Sequence, residues 1–538
     1  MSVIAAAAAD FQAPQIDWGA LAPVIVVLGA AVLGVVLEAL LPRRLRNASQ
    51  VVLALAALVV SLVLLAVLWA KPPVSVGTVG PAGAVGRLTQ GMNLSIMVDR
   101  PALFLQSSIV VLALLAVLTM VERSRDADPF TPQGSAVPGS DFENASRQAG
   151  LVQTEVLPLV LFAVGGMMVF TAAGDLLTMF VALELLSLPL YILCGLARRR
   201  RLLSQEASLK YFLLGSFGSA MFLFGTALLF GATGSVNLAA MSQVFQPGAP
   251  LLVVTGVVLV LAGLLFKIGA VPFHAWTPDV YTGAPTPVTG FMAACTKIAA
   301  FGALVRVLFY GLAPLQDTWQ PVLVIVAVAT MVVGSVVAIV QADIKRMLAY
   351  SSIAHAGFIL TALVAVQEAG ISSTLFYVLA YGFTTLGAFA VVALVRERDA
   401  RNNITGEATH LSQWAGLGRR SPVLAGVFTL FLFAMAGIPL TSGFTAKFAV
   451  FSAAVSAGYA WLAVIGVIAS AAAAFFYVRV IVLMYFSEPA ADATTVVAGR
   501  PFTAAAVALG AVATILLGVV PAPVLELAHT AATAPFGG

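Results

Sequence analysis

Long apolar stretches dominate this sequence and decide what it can fold into. A helix needs about 20 apolar residues to cross the core of a bilayer. Fourteen stretches of roughly that length lie along the 538 residues, at 20–41, 50–70, 102–121, 155–173, 175–197, 206–230, 250–282, 287–311, 320–340, 346–366, 372–395, 421–456, 460–486 and 501–520. Charged residues make up only 9% of the chain, against about 25% in soluble domains. The sequence therefore predicts an all-α polytopic membrane protein and excludes a soluble enzyme.

Residues that build metal and cofactor sites are sparse in this chain. The two cysteines, Cys194 and Cys295, lie far apart in apolar stretches, which excludes a disulfide framework, a zinc site and a cysteine-bound cluster. The four histidines are scattered without ligand spacing, and no nucleotide-binding or metalloprotease motif occurs. We therefore expect this chain to bind no metal and no cofactor of its own.

Basic residues between the spans predict the orientation of the chain. Loops after odd-numbered spans carry 18 Lys and Arg residues, whereas loops after even-numbered spans carry three. Since basic loops remain in the cytoplasm, we expect the odd loops inside and both termini outside. Residues 1–10 lack the basic residues of a signal peptide, so we expect no cleaved leader.

Four ionisable residues are central in their spans, where a charge costs about 2.5–3.5 kcal/mol. They are Glu184 in span 5, Lys267 in span 7, Lys297 in span 8 and Lys447 in span 12. A desolvated lysine releases its proton more readily and a nearby carboxylate opposes that release, so a lysine with a movable glutamate is a switchable proton carrier. A sodium site would need clustered carboxylates, whereas Glu184 is the single carboxylate among these four residues. We expect a proton path, with a purely structural ion pair as the alternative.

Other ionisable residues lie near span ends or in polar segments. Arg306 and Arg479 are within about two turns of a helix end, so we expect them to snorkel to the interface. Lys210, about one turn into span 6, is open to the same interpretation. His274 and His355 are candidate proton relays, because imidazole titrates near neutral pH. A hydrogen bond between helices is the other role open to each histidine.

Two spans, 250–282 and 421–456, are too long for one straight helix and carry Gly and Pro near their middle. LLFKIGAVPF (264–273) aligns on its proline with LFAMAGIPL (432–440). Proline interrupts a helix, and paired broken helices in the two halves of a transporter mark the transport site. Since the breaks are five spans apart, we expect spans 4–8 and 9–13 to form two inverted five-helix repeats.

The expected organisation is one transmembrane domain, 1–538, with four parts. These are N-terminal helices and loops at 1–150, the first repeat at 151–315, the second repeat at 316–490 and a C-terminal helix at 491–538.

Several motifs resemble the antiporter-like, proton-translocating membrane subunits of respiratory complex I, the bacterial NADH–quinone oxidoreductase. The similarity runs from about residue 90 to 490. It is carried by LLFKIGAVPFHAWTPDVYTGAPTPVTGFMAACTKIAAFG (264–302), DIKRMLAYSSIAHAGFIL (343–360), ELLSLPLYIL (184–193), ASLKYFLLGSFGSA (207–220) and GIPLTSGFTAKF (437–448).

The resemblance implies roles for five residues. Glu184 would pair with Lys210, Lys267 would lie at the first break, Lys297 would connect the two half-channels, and Lys447 would end the row. It also implies a cell-membrane subunit that couples NADH oxidation by quinone to proton pumping. FMN, iron–sulfur clusters, NADH and quinone would belong to partner subunits.

Two other functions remain open from the sequence. One is a subunit of a multi-subunit Na⁺/H⁺ antiporter, which shares the ancestry. The other is a membrane scaffold whose charges only hold helices together. Moving one charge against about 150 mV costs roughly 3.5 kcal/mol, and no motif here supplies that work. A pump would therefore need neighbouring subunits, and a passive exchanger would need another gradient.

Overall fold

Helices form at all fourteen apolar stretches. The computed structural model describes residues 15–71, 78–80, 95–122, 128–398 apart from 133, 135, 138, 139 and 150, 404–488, 495–496 and 501–533. The segment 1–10, for which we expect no leader, lies outside the described residues. The helices before the proposed repeats are α1 Trp18–Leu40, α2 Arg43–Ala70, α3 Arg100–Val121 and the short α4 Asp141–Gln148.

Apart from three short helices in the connections and near the C-terminus, the remaining helices follow the predicted spans within a few residues. They are α5 Val156–Ala172, α6 Leu176–Cys194, α7 Arg201–Thr233, the short α8 Leu238–Val244, α9 Leu251–Ile268, α10 Trp276–Gly283, α11 Thr286–Gly311, α12 Gln316–Ile339, α13 Ile344–Val364, α14 Glu368–Leu394, the short α15 Leu417–Arg420, α16 Pro422–Ala436, α17 Ser442–Ser456, α18 Ala460–Phe486, α19 Pro501–Val519 and α20 Ala522–Thr533. Short 3-10 turns occur at Ala313–Leu315 and Leu411–Trp414.

Twelve helices in the described ranges are long and apolar enough to cross a membrane. Val156–Ala172 and Pro422–Ala436 are apolar but shorter. The multi-pass helical fold is confirmed, whereas the count of fourteen crossings remains a prediction. The C-terminal part holds a second helix, α20, that the single predicted helix at 491–538 did not include.

Aspartate side chains begin four of these helices. Asp17, Asp99, Asp175 and Asp343 each accept a hydrogen bond from the backbone N–H three residues further on. A side-chain oxygen at this position satisfies a backbone donor that the first helical turn leaves free. The caps therefore fix where α1, α3, α6 and α13 start.

Both long spans are broken where Gly and Pro occur. Gly269 (φ +76°) ends α9 and Gly437 (φ +87°) ends α16, in the left-handed conformation that glycine adopts most readily. The N–H one residue past each glycine donates to the carbonyl five residues before it, at 3.0 Å in both breaks. The two breaks thus match on their glycines. The alignment on the prolines was wrong by one residue, because Pro272 follows Gly269 by three positions and Pro439 follows Gly437 by two.

The helix α11 departs from regular α geometry twice. Met292–Thr296 and Val307–Gly311 are π turns, and Lys297–Arg306 between them is α-helical. α11 is buried except near its C-terminal end, and α13 and α14 are largely buried, while less than half of α2, α18 and α19 is buried. The buried centre of the molecule therefore runs along α11, α13 and α14.

Two small antiparallel sheets lie in the connections. One has the order β1 (Gln15–Ile16), β2 (Thr78–Gly80), β3 (Ile96–Met97), with Ile16 opposite Val79 and Val79 opposite Ile96. The other has the order β5 (Ile404–Glu407), β4 (Val395–Arg398), β6 (Thr495–Val496), with Arg396 opposite both Glu407 and Thr495. The second sheet positions Glu407 beside the helices α11 and α13.

Candidate proton path

Lys267 lies in the last turn of α9, and only 3% of its surface is exposed. Its Nζ lies 2.7 Å from Ser187 Oγ on α6 and 3.1 Å from Tyr211 OH on α7. The rings of Tyr191 and Tyr211 lie 5.9 and 5.1 Å from the same nitrogen. The lysine is thus held by hydroxyl groups and aromatic faces at the first break.

Glu184 lies one turn before Ser187 on α6, so the two side chains share a face of the helix. Its Oε1 is buried without a hydrogen-bond partner. The carboxylate and Lys267 interact electrostatically, but they form no direct ion pair. Glu184 is therefore within electrostatic range of Lys267 and is not held by a hydrogen bond through Oε1.

Lys210 does not pair with Glu184, so this prediction was wrong. The Lys210 Nζ lies 2.6 Å from Glu206 Oε1 on the preceding turn and 2.8 Å from Asp279 Oδ2 on α10. Arg346 Nη1 also contacts Asp279, at 2.7 Å. The break after Gly269 lets α10 pack against α7 and brings Asp279 to Lys210. The lysine is 41% exposed in its side chain.

Lys297 follows the first π turn of α11 directly and is 3% exposed. Its Nζ donates to the backbone carbonyl of Ser352 on α13, and the Tyr381 ring lies 5.5 Å away. The buried Ser352 Oγ makes no hydrogen bond of standard geometry, although Tyr281 and Tyr381 lie next to it. This hydroxyl lies between the Lys297 region and the aromatic residues around Lys267.

His355 occupies the buried space between Lys297 and Lys447. Its Nδ1 is 2.7 Å from Tyr377 OH on α14, and its Nε2 is 3.4 Å from Tyr477 OH on α18. Both lysines act electrostatically on the ring. The structure therefore brings His355 together with two lysines of the predicted row.

Lys447, 6% exposed, lies on α17 beside the second break. Its Nζ donates to the carbonyls of Met435 at 2.8 Å and Ala436 at 2.9 Å, and lies 2.7 Å from Ser470 Oγ. The two carbonyls end α16, and the C-terminus of a helix attracts a cation. A cavity of about 10 Å³ lined by His355 and Met435 lies next to this site, roughly the room that one water needs.

His274 stands apart from the row. It lies in the break between α9 and α10, and its Nδ1 is buried without a hydrogen-bond partner. No hydrogen bond joins it to Lys267, Lys297 or Lys447 among the described contacts. Its role as a relay stays a prediction.

Arg306 does not snorkel to the interface, contrary to the sequence prediction. It is 1% exposed and forms a bidentate ion pair with Asp99, at 2.8 and 2.9 Å, while its Nε donates to the Thr171 carbonyl at 3.0 Å. The chain folds back so that the start of α3 meets α11. Arg479 is half-buried and its Nη1 donates to the Ile339 carbonyl at the end of α12.

A second buried cluster joins the hairpin β4–β5 to the helices. Glu407 Oε2 lies 3.6 Å from Lys345 Nζ, Glu407 Oε1 lies 3.7 Å from Arg396 Nη1, and Thr286 also contacts the carboxylate. Burial alone would raise the pKa of Glu407, but Lys345 and Arg396 hold it below its usual range. Arg396 and Glu407 lie in the connection after α14 and Lys345 lies in the first turn of α13, and no pattern in the sequence indicates that they meet.

Hydroxyl-bearing residues around the lysines were missed by sequence reasoning. They are Ser187, Tyr211, Ser352, Tyr377, Tyr477 and Ser470. Their only signal was a polar atom inside an apolar stretch, which many helix contacts share. The described residues contain no group of three or more His, Cys, Asp or Glu that could hold a metal ion.

Comparison with known proteins places this arrangement in a family. A family model described as NADH:quinone oxidoreductase/Mrp antiporter, transmembrane, matches residues 173–473. NADH-quinone oxidoreductase subunit N of Beutenbergia cavernae is 60% identical over 96% of this chain and 98% of that protein. The chain belongs to the NADH-quinone oxidoreductase subunit N family. The subunit N of Mycobacterium tuberculosis strain H37Rv is 52% identical over 97% of this chain and 98% of that protein.

Solved structures include a similar chain in a respiratory complex I. A chain of respiratory complex I from Thermus thermophilus with bound aureothin is 32% identical, covers 94% of this chain and 99% of that chain, and superposes with a TM-score of 0.72. A chain of the Mrp complex from Dietzia sp. DQ12-45-1b superposes with a TM-score of 0.78 and covers 96% of this chain and 97% of that chain. Its sequence is only 23% identical, so this similarity shows the fold alone. The resemblance to complex I membrane subunits is confirmed, and subunit N is favoured over the antiporter alternative.

Proposed function

We propose that the chain translocates protons across the cell membrane as a membrane subunit of an NADH-quinone oxidoreductase. Electrons would pass from NADH to quinone through FMN and iron–sulfur centres in partner subunits. That transfer would drive protons along the lysine row. The relatives named NADH-quinone oxidoreductase subunit N support this assignment.

One observation carries the proposal. Lys267, Lys297 and Lys447 are buried, and none of them forms an ion pair with a carboxylate of the described chain. A lysine inside a closed ion pair keeps its proton, because losing it leaves a buried carboxylate without compensation. These three lysines are held by hydroxyl groups, carbonyls and aromatic faces, so no direct carboxylate partner locks any of them in its protonated form.

The scaffold alternative fits other residues of this molecule. The pairs that hold elements together are Asp99–Arg306 and the cluster of Glu407 with Lys345 and Arg396. They join cations to carboxylates directly. The lysine row lacks such partners, which favours transport over a purely structural role.

The proposed path runs from Glu184 through Lys267 and Lys297 to Lys447. His355, with its two tyrosine partners, would relay protons between Lys297 and Lys447. Lys210 would stand beside the path with Asp279. His274 is kept as a candidate relay only because it lies in the first break.

The proposed architecture is two inverted repeats, 151–315 and 316–490, with 1–150 before them and 491–538 after them. The matching glycine-ended breaks after α9 and α16 support it. The proposed orientation places both termini outside, and the excess of basic residues in odd-numbered loops supports it.

Replacing each lysine of the row by methionine tests whether the residues act in series. The change keeps apolar volume and removes the protonatable nitrogen. Each of Lys267→Met, Lys297→Met and Lys447→Met should block the proton flux through this chain, and a double variant should be hardly worse than either single variant. The measurement is NADH-driven proton uptake in inverted vesicles, normalised to assembled complex and compared with a strain that lacks this chain.

Arg479→Met is the matched control, because it removes a half-buried cation outside the row and should pump like the parent. Parallel paths would instead leave a fraction of flux in each single variant, with losses that combine. If Lys447→Met pumps normally while Lys267→Met does not, the serial model fails.

A further inference from the structure

An apolar cleft with a volume of about 690 Å³ opens between helices from the two ends of the chain. Its walls are the last turns of α2 and α19, the first turns of α3, the middle of α14 and the start of α20. Ser107 and Ser108 are its only polar lining residues, and the Ser108 hydroxyl donates to the Phe104 carbonyl. The lining therefore suits hydrocarbon and offers almost nothing to a polar ligand.

The cleft lies toward one end of α2, α3 and α19 and extends to the middle of α14. The lining residues of α2, of α3 and of the end of α19 fall within 62–69, 104–111 and 513–520, and α14 contributes Leu379 and Phe383. Eight residues of helix measure roughly 10 Å along the axis, about a third of the hydrocarbon core. A neighbouring transmembrane helix would need a complementary face along most of its length. A cleft of this depth matches part of one acyl chain.

Two cations stand at the end of the cleft near the α2–α3 loop. The Arg100 guanidinium lies 4.7 Å from the centre of the Trp69 ring, and Trp69 lines the cleft. Arg100 donates to the backbone carbonyls of Trp69 and Lys71, and its Nε has no partner. A guanidinium has five N–H donors, so several remain for another acceptor. Lys71 itself is exposed, directly after α2.

No carboxylate of the adjoining loop neutralises this pair of cations. Residues 71–99 contain a single acid, Asp99, which is bound to Arg306. The lining helix α20 carries one exposed acid, Glu526. Arg100 and Lys71 therefore place two positive charges at this end of the apolar cleft.

We propose that the cleft binds an anionic phospholipid. One acyl chain fills the space between α2, α3, α14 and α19, and the phosphate accepts hydrogen bonds from Arg100 and Lys71. Hydrogen bonds between charged groups of this kind are stronger than neutral ones. The lipid would join the N-terminal helices to α19 and α20, which lie more than 400 residues away in sequence.

Photolabelling of the assembled complex tests the proposal. The complex is reconstituted in phosphatidylcholine vesicles that contain a trace of phosphatidylglycerol with a diazirine in its acyl chain. After illumination, labelled peptides should contain Leu65, Val111 or Leu516, which line the cleft. Unlabelled phosphatidylglycerol should compete with the label, and added phosphatidylcholine should not.

Two variants with matched controls distinguish the binding site of the acyl chain from the binding site of the lipid headgroup. Leu65→Trp fills the cleft and should remove the label, whereas Val464→Trp, at an exposed position on α18, should not. Lys71→Gln should weaken competition by phosphatidylglycerol about fivefold, the factor that corresponds to about 1 kcal/mol for one basic residue at the membrane surface. Arg44→Gln, exposed at the other end of α2, should leave the competition unchanged.

Three results would overturn the proposal. The first is equal competition by the zwitterionic lipid. The second is unchanged labelling in an assembled Leu65→Trp complex. The third is capture of a neighbouring subunit, instead of lipid, by a photoreactive residue at position 65. If Leu65→Trp prevents assembly, Lys71→Gln decides, because this exposed side chain has no structural partner among the described contacts.

Discussion

Partner chemistry separates the buried cations of this chain into two groups. Arg306 and Lys345 contact carboxylates, whereas Lys267, Lys297 and Lys447 contact hydroxyl groups and carbonyls. Removing one partner of a buried ion pair leaves an uncompensated charge, and removing a hydroxyl does not. Substitutions in the two groups should therefore differ: the first should lose folded protein, and the second should lose transport.

Glu184 gives the first prediction at this scale. Its carboxylate lies close to Lys267 without a hydrogen bond. It can therefore stabilise the protonated form of Lys267, and the proton is released more easily when the carboxylate is farther away. Glu184→Gln should reduce proton pumping and the coupled quinone reduction about a hundredfold, a typical loss when a proton-transfer group is removed. Glu184→Asp should keep part of the activity. Both rates are measured in assembled complex.

The control for this prediction is Glu368→Gln, which removes an exposed carboxylate at the start of α14. It should pump like the parent. Full pumping in a normally assembled Glu184→Gln complex would contradict a role for this carboxylate.

The Asp99–Arg306 pair gives the second prediction. Asp99→Asn leaves a guanidinium buried without its counter-ion and should destabilise the protein by about 3–5 kcal/mol. A double variant, Asp99→Asn with Arg306→Met, removes both charges, keeps a capping side chain at the start of α3 and should recover most of that loss. The measurement is the thermal unfolding midpoint of the complex together with its assembled amount. Equal losses in the single and double variants would exclude the ion pair as the cause.

Sequence reasoning at this scale succeeded where position along a span decided the outcome. The burial of Lys267, Lys297 and Lys447 follows from their central places in apolar stretches. It failed for Lys210 and Arg306, because their partners Asp279 and Asp99 come from distant parts of the chain. Local pattern carries no information about which helices pack together.

At the scale of elements, the two breaks could be predicted because Gly and Pro act locally. The residue-by-residue correspondence of the two breaks could not be predicted. The alignment matched the prolines, whereas the glycines decide the backbone conformation. Gly269 and Gly437 end their half-helices with the same hydrogen bonds. The residues 292–296 and 307–311 show no sequence pattern that indicates the two π turns of α11.

Gly437→Ala gives a prediction for the second break. A Cβ there would lie 2.9 Å from Lys447 Cδ, and the φ of +87° is unfavourable for alanine by about 1–2 kcal/mol. The variant should both lose stability and displace Lys447, so proton pumping should fall. Gly458→Ala has the same φ of +87° and open space around the Cβ. It should lose similar stability and keep its pumping. Equal pumping by the two variants would show that Lys447 is not displaced.

At the scale of the whole molecule, orientation follows from charge outside the helices. The excess of basic residues in odd-numbered loops predicts both termini outside. A protein that fluoresces only in the cytoplasm, fused after Gly538, should therefore stay dark, and alkaline phosphatase at the same position should be active. Bright fluorescence would contradict the outside placement of the C-terminus.

The general architecture could be read from the sequence because hydrophobic length has one main physical meaning in a membrane. Helices occur at every predicted apolar stretch. The contacts of α3 with α19 and α20, and the cleft between these helices and α2, could not be read, since helix packing in lipid depends on side-chain shape more than on hydrophobicity. The second C-terminal helix, α20, was not predicted, because a helix of 12 residues falls below the length of a span.

The π turn before Lys297 has a consequence for how this side chain can be aimed. A π turn holds one residue more than an α turn in the same length of helix. If that surplus residue passes from one side of Lys297 to the other, the lysine swings by about 100° around the axis of α11. Both ends of the helix stay where they are. The central lysine can therefore be turned between two neighbours by a rearrangement of only a few residues. The rest of this buried helix does not have to move.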